Sequence, residues 1–244
     1  MLIPYKPNLF TPIIKGNTSI AKTELFVEHR FDEGSGQVLN DYSGNGNNGQ
    51  LGSTTGNDSN DPHWNLRGLS FLDDDFIIMA AAIRDVVKKN LPYTIEIAAK
   101  FNSLKPGSQT LFSSTVSSVD RMGVTTGSTS YPDAILKAGH YNGVIYKCKN
   151  SCPIVGEEPF YISFSYNELL STMHKNSLVQ EGTKNPPTTT NVRTVLGANV
   201  GLFNFFNGEI YYFLLYSRFL TQVEKYRNYQ AVKTILKQRG VLLP

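Results

Sequence analysis

The stretch that most constrains this chain is Phe31-Asp-Glu-Gly-Ser-Gly-Gln-Val-Leu-Asn-Asp41-Tyr-Ser-Gly-Asn-Gly-Asn-Asn-Gly49. Just before it, Leu25, Val27 and Phe31 keep a β-like apolar spacing, and the run then breaks into glycine, serine and asparagine. Gly34, Gly36, Gly44, Gly46 and Gly49 reach positive φ at low cost, and Asp41, Asn45, Asn47 and Asn48 are the next most tolerant types. The spacing predicts a strand delivered into two consecutive tight turns, and with it the start of a β fold.

Short apolar runs bounded by turn residues continue along the chain. Strands are expected over 23–31, 36–40, 67–72, 75–80, 93–102, 109–116 and 121–126, then over 134–140, 144–148, 160–166, 176–180, 193–198 and 207–217. Ile95, Ile97 and Phe101 alternate toward a core, as do Phe160, Ile162, Phe164 and Tyr166, with Ser163 and Ser165 outward. Many short strands separated by turns indicate an all-β fold, a two-sheet antiparallel sandwich.

Two helices interrupt the strands. Residues 80–90 place Ile83, Val86 and Val87 on one face before Pro92. Thr221-Gln-Val-Glu224 is a capping box, and the row Val223, Tyr226, Tyr229, Val232, Ile235 winds around the helix that follows. That winding predicts contact with a second surface as well as with the sandwich. The expected organisation is an extended, proline-punctuated N-terminal arm over 1–22, a sandwich over 23–220, and a C-terminal helix and tail over 221–244.

At 244 residues with 40% hydrophobic content, the chain can bury one large core. A net charge of +3 with no basic run longer than Lys88-Lys89 excludes a phosphate-tracking surface, so no nucleic acid partner is expected. No apolar run approaches the ~18–20 residues of a membrane span, so no membrane insertion is expected. The N-terminus carries Pro4, Pro7 and Pro12 and does not read as a signal peptide. Either the chain is a mature extracellular protein, or it is made in a host cytoplasm and leaves inside an assembled particle. Cys148 and Cys152 read either as a disulfide across a hairpin whose tip is Lys149–Ser151, or as two free thiols.

Catalysis is not expected. Retaining glycoside hydrolysis needs two carboxylates about 5–5.5 Å apart, and Glu96 is followed by Ile97, Ala98 and Ala99 with no second acid. No serine stands in Gly-x-Ser-x-Gly, and His29, His63, His140 and His174 are scattered.

Two separated blocks resemble the concanavalin A-like, laminin-G-like jelly-roll modules. The first is Phe31–Gly36 with Asp41–Gly49, continued by Trp64, Gly68-Leu-Ser-Phe71 and Asp73–Asp75. The second is Phe206-Asn-Gly-Glu-Ile210, Tyr216-Ser-Arg-Phe-Leu-Thr221 and Glu224. The resemblance brackets residues 23–228 and implies a jelly-roll sandwich, lectin-like and mostly non-catalytic, that binds glycans or proteins through loops at one rim. It also implies calcium near the opening turn, for which Asp41 is the carboxylate in the matching block. Tyr211 stands where an acid is expected on the exit strand. The tail from Tyr229 to Leu243 looks like the ends of such modules in bacteriophage virion proteins. That likeness implies a virion component, tied to other subunits through the arm and helix, with its rim toward cell-surface polysaccharide.

Asp41 reads as a calcium ligand or as an acceptor for nearby backbone amides, and a lone carboxylate favours the second. Asp73, Asp74 and Asp75 read as a cation cluster or, by their alternating directions, a solvated turn. Trp64 could stack on a sugar, but its place before a buried-looking strand favours packing. Sugar recognition needs a flat apolar face beside amides. The loops offering both carry Tyr131, Tyr141 and Asn142, and Phe203, Asn204 and Phe205.

Overall fold

The computed structural model describes residues 19–88, 91–103, 108–117, 120–126, 135–141, 146–153, 157–167, 171–175, 178–182, 193–199 and 201–244. In much of 115–153 and 171–182 it is the backbone and its pairing that are described.

The first strands are β1 (Leu25–His29), β2 (Val38–Leu39), β3 (Gly49–Leu51), β4 (His63–Trp64), β5 (Leu69–Phe71) and β6 (Ile77–Ile78), followed by helix α1 (Ala81–Lys88). Next come β7 (Tyr93–Phe101), β8 (Thr110–Ser117), β9 (Asp120–Thr126), β10 (Ile135–Tyr141) and β11 (Tyr146–Pro153). The chain closes with β12 (Phe160–Tyr166), β13 (Ser171–Lys175), β14 (Leu178–Gly182), β15 (Thr194–Leu196), β16 (Gly208–Tyr216) and helix α2 (Gln222–Gln238).

One sheet runs β14-β13-β12-β7-β16-β5-β4, with β1 also paired to β16; the other runs β11-β10-β9-β8-β15-β6-β3-β2. Every pairing is antiparallel, so the expected two-sheet sandwich is present. Between the sheets lie Ile95, Ile97 and Phe101 of β7, Phe160, Ile162 and Phe164 of β12, and Phe213 and Leu215 of β16. They meet Leu51, Ile77, Phe112, Val124 and Leu196 of the second sheet. Ile83 and Val87 of α1 join this core, with Val86 half-buried against it.

The opening turns form as expected, with Gly34, Gly36, Gly44 and Gly46 all at positive φ. Gly49 differs. It lies in β3, where a Cβ would approach Ile77 Cγ2 to 2.9 Å, so its role is close packing rather than a turn. Phe31 holds φ +57 while fully buried, a strained conformation kept by the core around its ring. Trp64 packs half-buried against the core and donates Nε1–H to Gly36 O at 2.8 Å.

The turn from Asp41 to Asn48 covers the open edge of β1. Tyr42 N donates to Glu28 O, Asn45 Nδ2 to Leu25 O and Phe26 O, and Asn47 Nδ2 to Phe26 O. Glu28 N donates in return to Asp41 Oδ1 at 3.0 Å.

Helix α2 starts on the capping box formed by Thr221 and Glu224. It lies across the outer face of the first sheet, where Tyr229, Ala231, Val232 and Leu236 pack with Ala98, Tyr161, Tyr212, Leu214 and Tyr216. Tyr229 and Val232 of the winding apolar row are buried there, and Tyr226 and Ile235 pack half-buried against the cluster, but the buried face extends beyond the row. It includes Lys225 and Asn228, while Val223 is exposed. Ser163 and Ser165 do stand on the outer face, yet are buried beneath this cover. Packing begins at Ile20 and Ala21, inside the stretch read as arm, because both join the cluster under α2. Residues 1–18 of that arm lie outside the described residues.

Strand β11 corrects the hairpin expected around Lys149–Ser151. Residues 146–153 form one strand, with Cys148 opposite His140 and Cys152 opposite Leu136. Four residues of strand separate the two cysteines by about 13 Å, well beyond the ~4.4–6.8 Å Cα spacing a disulfide spans. They do not pair with each other.

A bulge between Ile210 and Tyr212 turns Tyr211 and Tyr212 both toward the outer cluster. Gly68 passes the bulge so closely that a Cβ there would overlap Ile210 O, and it would sit 3.2 Å from Tyr211 Cα. Gly68→Ala is therefore expected to destabilise the fold by about 1–3 kcal/mol, read as a lower urea midpoint, whereas Gly34→Ala meets open space and bears only the backbone cost of its positive φ.

Candidate functional site

Several connections meet at one edge of the sandwich. Asn60 Nδ2 donates to Asp74 Oδ2 at 3.0 Å, and Phe76 N to Asn60 O at 3.2 Å, joining the 52–62 connection to the 72–76 turn. Asn207 N donates to Gln109 Oε1 at 2.9 Å, Asn102 N to Asn207 O at 3.0 Å, and Thr110 N to Asn204 O at 2.8 Å. The start of β8 and the end of β7 are thereby tied to the loop before β16.

The described residues of that loop, 197–199 and 201–207, are shaped by the loop's own polar groups. Asn199 Oδ1 accepts from Gly201 N at 2.9 Å, and Asn199 N donates to Phe203 O at 3.0 Å. Leu202 and Asn204 both take φ +56. The resulting path drives Leu202 and Phe205 onto Phe76, Val195 and Ala198 and leaves Phe203 48% exposed. Its ring rests against Gly201, where a Cβ would come within 2.9 Å of Phe203 Cδ1. The amide of half-exposed Asn204 has no hydrogen-bond partner among the described residues.

The six residues proposed from sequence for sugar contact do not form one group. Phe203 and Asn204 share the rim just described, whereas Phe205 serves packing. Tyr131 and Asn142 lie outside the described residues. Leu136 opposite Thr126, and Thr110 opposite Thr125, place the start of β10 at the Asn204 edge. Tyr141 ends β10 opposite Arg121 and Tyr146. Six residues of strand put it about 20 Å from Ile135, toward the opposite edge. Asn60, Asn207 and the exposed Leu72 belong to the rim and were missed. Alternation along β5 was the available signal for Leu72, since Leu69 and Phe71 are buried.

Asp41 is an organiser of the opening turn. Oδ1 accepts from Glu28 N and Ser43 N, and Oδ2 from Asn47 N and Ser43 Oγ, at 2.8–3.0 Å. Burial opposes its charge, but these donors outweigh it and hold its pKa below the ordinary value. Among the described residues no group of three or more His, Cys, Asp or Glu is arranged to hold a metal ion. Of the successive acids, Asp75 is buried and accepts from Leu72 N at 2.7 Å, while Asp73 and Asp74 are exposed.

Glu96 is the acid that sequence reading tested for catalysis. It sits on the outer side of β7, 1% exposed, under α2. Asn228 Nδ2 donates to its Oε2 at 2.6 Å and also meets Tyr216 Oη at 2.9 Å. Asn228 Oδ1 accepts from Ala21 N at 2.8 Å. Burial pushes Glu96 up to about 7, against the hydrogen bonds of Asn228, Ser163 and Tyr161 and the nearby Lys225 charge. Burial likewise pulls Lys225 down to about 8. A raised carboxyl in a cleft would suggest an acid catalyst, but this one is sealed from substrate. Glu28 is also enclosed, bound by Lys22 at 2.6 Å, Arg30 at 2.9 Å and Tyr212 Oη at 2.6 Å. His29 donates Nδ1–H to Asn40 O at 2.9 Å, and burial lowers it to about 4, so it is neutral.

No family model and no curated protein sequence matches this chain. Solved structures do match. Trypanosoma rangeli sialidase with 2,3-difluorosialic acid aligns at TM-score 0.65 and 11% identity over 89% of this chain, which spans 34% of the sialidase chain. Domain 4 of AbnA, a GH43 extracellular arabinanase from Geobacillus stearothermophilus solved with arabinotriose, aligns at 0.62 and 17% over 85% of this chain and 98% of that domain. The binding domain of botulinum neurotoxin DC with SialylT aligns at 0.61 and 10%, covering 87% and 52%. The likeness is one of fold. It joins this sandwich to domains of carbohydrate-binding and glycosidase proteins, some of them binding domains and some parts of enzymes.

The Glu96–Lys225 pair gives a pH signature. Because folding raises Glu96 from its ordinary 4.5 to about 7, the stability it contributes is full below 4.5 and is lost as pH rises through 7. Lys225, lowered from 10.5 to about 8, contributes stability that is present above 10.5 and lost as pH falls through 8. His29, lowered from 6.5 to about 4, adds the opposite slope below pH 6.5, so the signature is read as a difference. The urea midpoint of the native chain measured against that of Glu96→Gln should fall from pH 5 to pH 7, and the native midpoint should rise again above pH 8 as Lys225 loses its proton in both states.

Proposed function

We propose that this chain is a non-catalytic, lectin-like module that holds a glycan against the loop rim at Phe203 and Asn204. The observation that carries the reading is the exposed Phe203 ring on a loop fixed by hydrogen bonds to two neighbouring segments, the end of β7 and the start of β8, with an unengaged amide beside it. A flat apolar face next to amide donors and acceptors suits a pyranose or furanose ring, and fixing the loop beforehand lowers the cost of binding. The likeness to AbnA domain 4, solved with arabinotriose, and to a toxin binding domain, solved with SialylT, supports a glycan as the ligand class. The enclosed positions of Glu96 and Glu28 support a binding role over hydrolysis.

The proposal extends to use as a subunit of a larger particle of the bacteriophage kind, with host-surface polysaccharide as the glycan. Support comes from the resemblance of the 229–243 tail, and exposed Val223 and Leu242 are the apolar positions on α2 and the tail that a neighbouring subunit could cover.

A glycan array carrying neutral, arabinan and sialylated oligosaccharides should return at least one binder. Phe203→Ala should then weaken it about 3- to 10-fold, the share of an aromatic face contact, while leaving the urea midpoint nearly unchanged. Binding that is unaffected by Phe203→Ala, or polysaccharide cleavage that disappears in Glu96→Gln, would sink this reading.

A further inference from the structure

The connection between β3 and β4 carries polar side chains for which the glycan reading has no use. Asp58 and Asp61 both aim Oδ1 at Gly52. A Cβ at that position would lie 2.6 Å from Asp58 Oδ1 and closer still to Asp61 Oδ1, so the two oxygens lie side by side against the Gly52 methylene. Asp61 is only 7% exposed. Its Oδ2 accepts from Gln37 Nε2 at 2.8 Å and Asp58 N at 2.9 Å, but its buried Oδ1 has no donor. Asp58 accepts from Asn60 N, Ser53 N and Thr54 N at 2.9–3.0 Å.

Neither acid is ion-paired with a Lys, Arg or His among the described residues. Residues 52–63 contain no Lys or Arg. Negative charge thus gathers here without a partner. Asp75 registers it: burial first, then the like charges of Asp74 and Asp61, push its pKa up, against a Leu72 backbone bond and a favourable His63. A buried carboxylate oxygen lacking any donor is costly, and a bound cation is one of the few groups that satisfies it.

We propose that Asp58 and Asp61 bind a calcium ion at the connection running from Gly52 to Asp61. Calcium is the hard cation that accepts carboxylate oxygens in irregular geometry and fills its shell with water, whereas magnesium demands a near-ideal octahedron. Two carboxylates make a weak site, with Kd on the order of 10⁻⁴–10⁻³ M. The site is separate from Asp41, whose oxygens are taken by four protein donors. An ion here would fasten the connection to the rim, since Gly52 N donates to Phe76 O and Phe76 N to Asn60 O.

The test uses the full chain, stripped with EDTA, dialysed, and titrated with calcium chloride alone, with magnesium chloride as comparison. Calorimetry should return one calcium per chain. Thermal unfolding should shift up by about 3–10 °C at calcium tenfold to a hundredfold above Kd. Asp61→Asn should abolish both signals, and Asp58→Asn, on the half-exposed turn, should do the same if Asp61→Asn does not fold. Asp41→Asn should leave calcium binding intact. The absence of both heat and a thermal shift at calcium up to about 10 mM would overturn the site. So would binding that survives both substitutions, binding that Asp41→Asn removes, or a magnesium response equal to that of calcium. None of these outcomes depends on glycan binding.

Discussion

Both faces of β16 are apolar, and the rest of the molecule is arranged to cover them. Phe213 and Leu215 face the interior between the sheets, whereas Tyr212, Leu214 and Tyr216 face outward and need a second cover. Burying one large apolar side chain contributes about 1.5–3 kcal/mol, so leaving three exposed along a central strand would forfeit much of a domain's net stability. Helix α2, Ile20 and Ala21 supply that cover. The cost is that polar groups on neighbouring strands are buried too. Thr94 pairs with Ser165 at 2.8 Å, and Glu96 meets Asn228 at 2.6 Å, so the interface carries its own hydrogen bonds.

Signals that act locally were legible in the sequence. The glycine and asparagine turns, the Thr221–Glu224 box, and the alternation of β7 and β12 each depend on a few adjacent residues, and each is present. What sequence could not supply was the identity of the opposite surface. Sequence left Lys225 and Asn228 off the packing face of α2, because both look solvent-facing until Glu96 and Tyr216 are placed against them. Cys148 and Cys152 suggested a hairpin tip because the lysine, asparagine and serine between them are turn residues. Pairing along β10 instead carries that polar segment straight through as strand. Strands β3, β4 and β13 were overlooked, being only two to five residues long.

The rim was legible in kind and not in detail. An aromatic-amide loop is visible in Phe203-Asn204-Phe205, but alternation cannot say which ring stays outside. Left-handed backbone at Leu202 and Asn204 decides it, turning Phe205 inward. Register settles the distance between Tyr141 and the Phe203 loop, and register is a property of paired strands rather than of either one alone.

The turn that carries Asp41 also bears on solubility. A strand left open at a sheet margin is a template on which another chain can polymerise. In β1 the outward carbonyls of Leu25, Phe26 and Glu28 and the amide of Glu28 are already spoken for by Tyr42, Asn45, Asn47 and Asp41. The glycine-rich segment is thus a built-in chaperone for that margin, guarding against fibre-like stacking of one copy on the next.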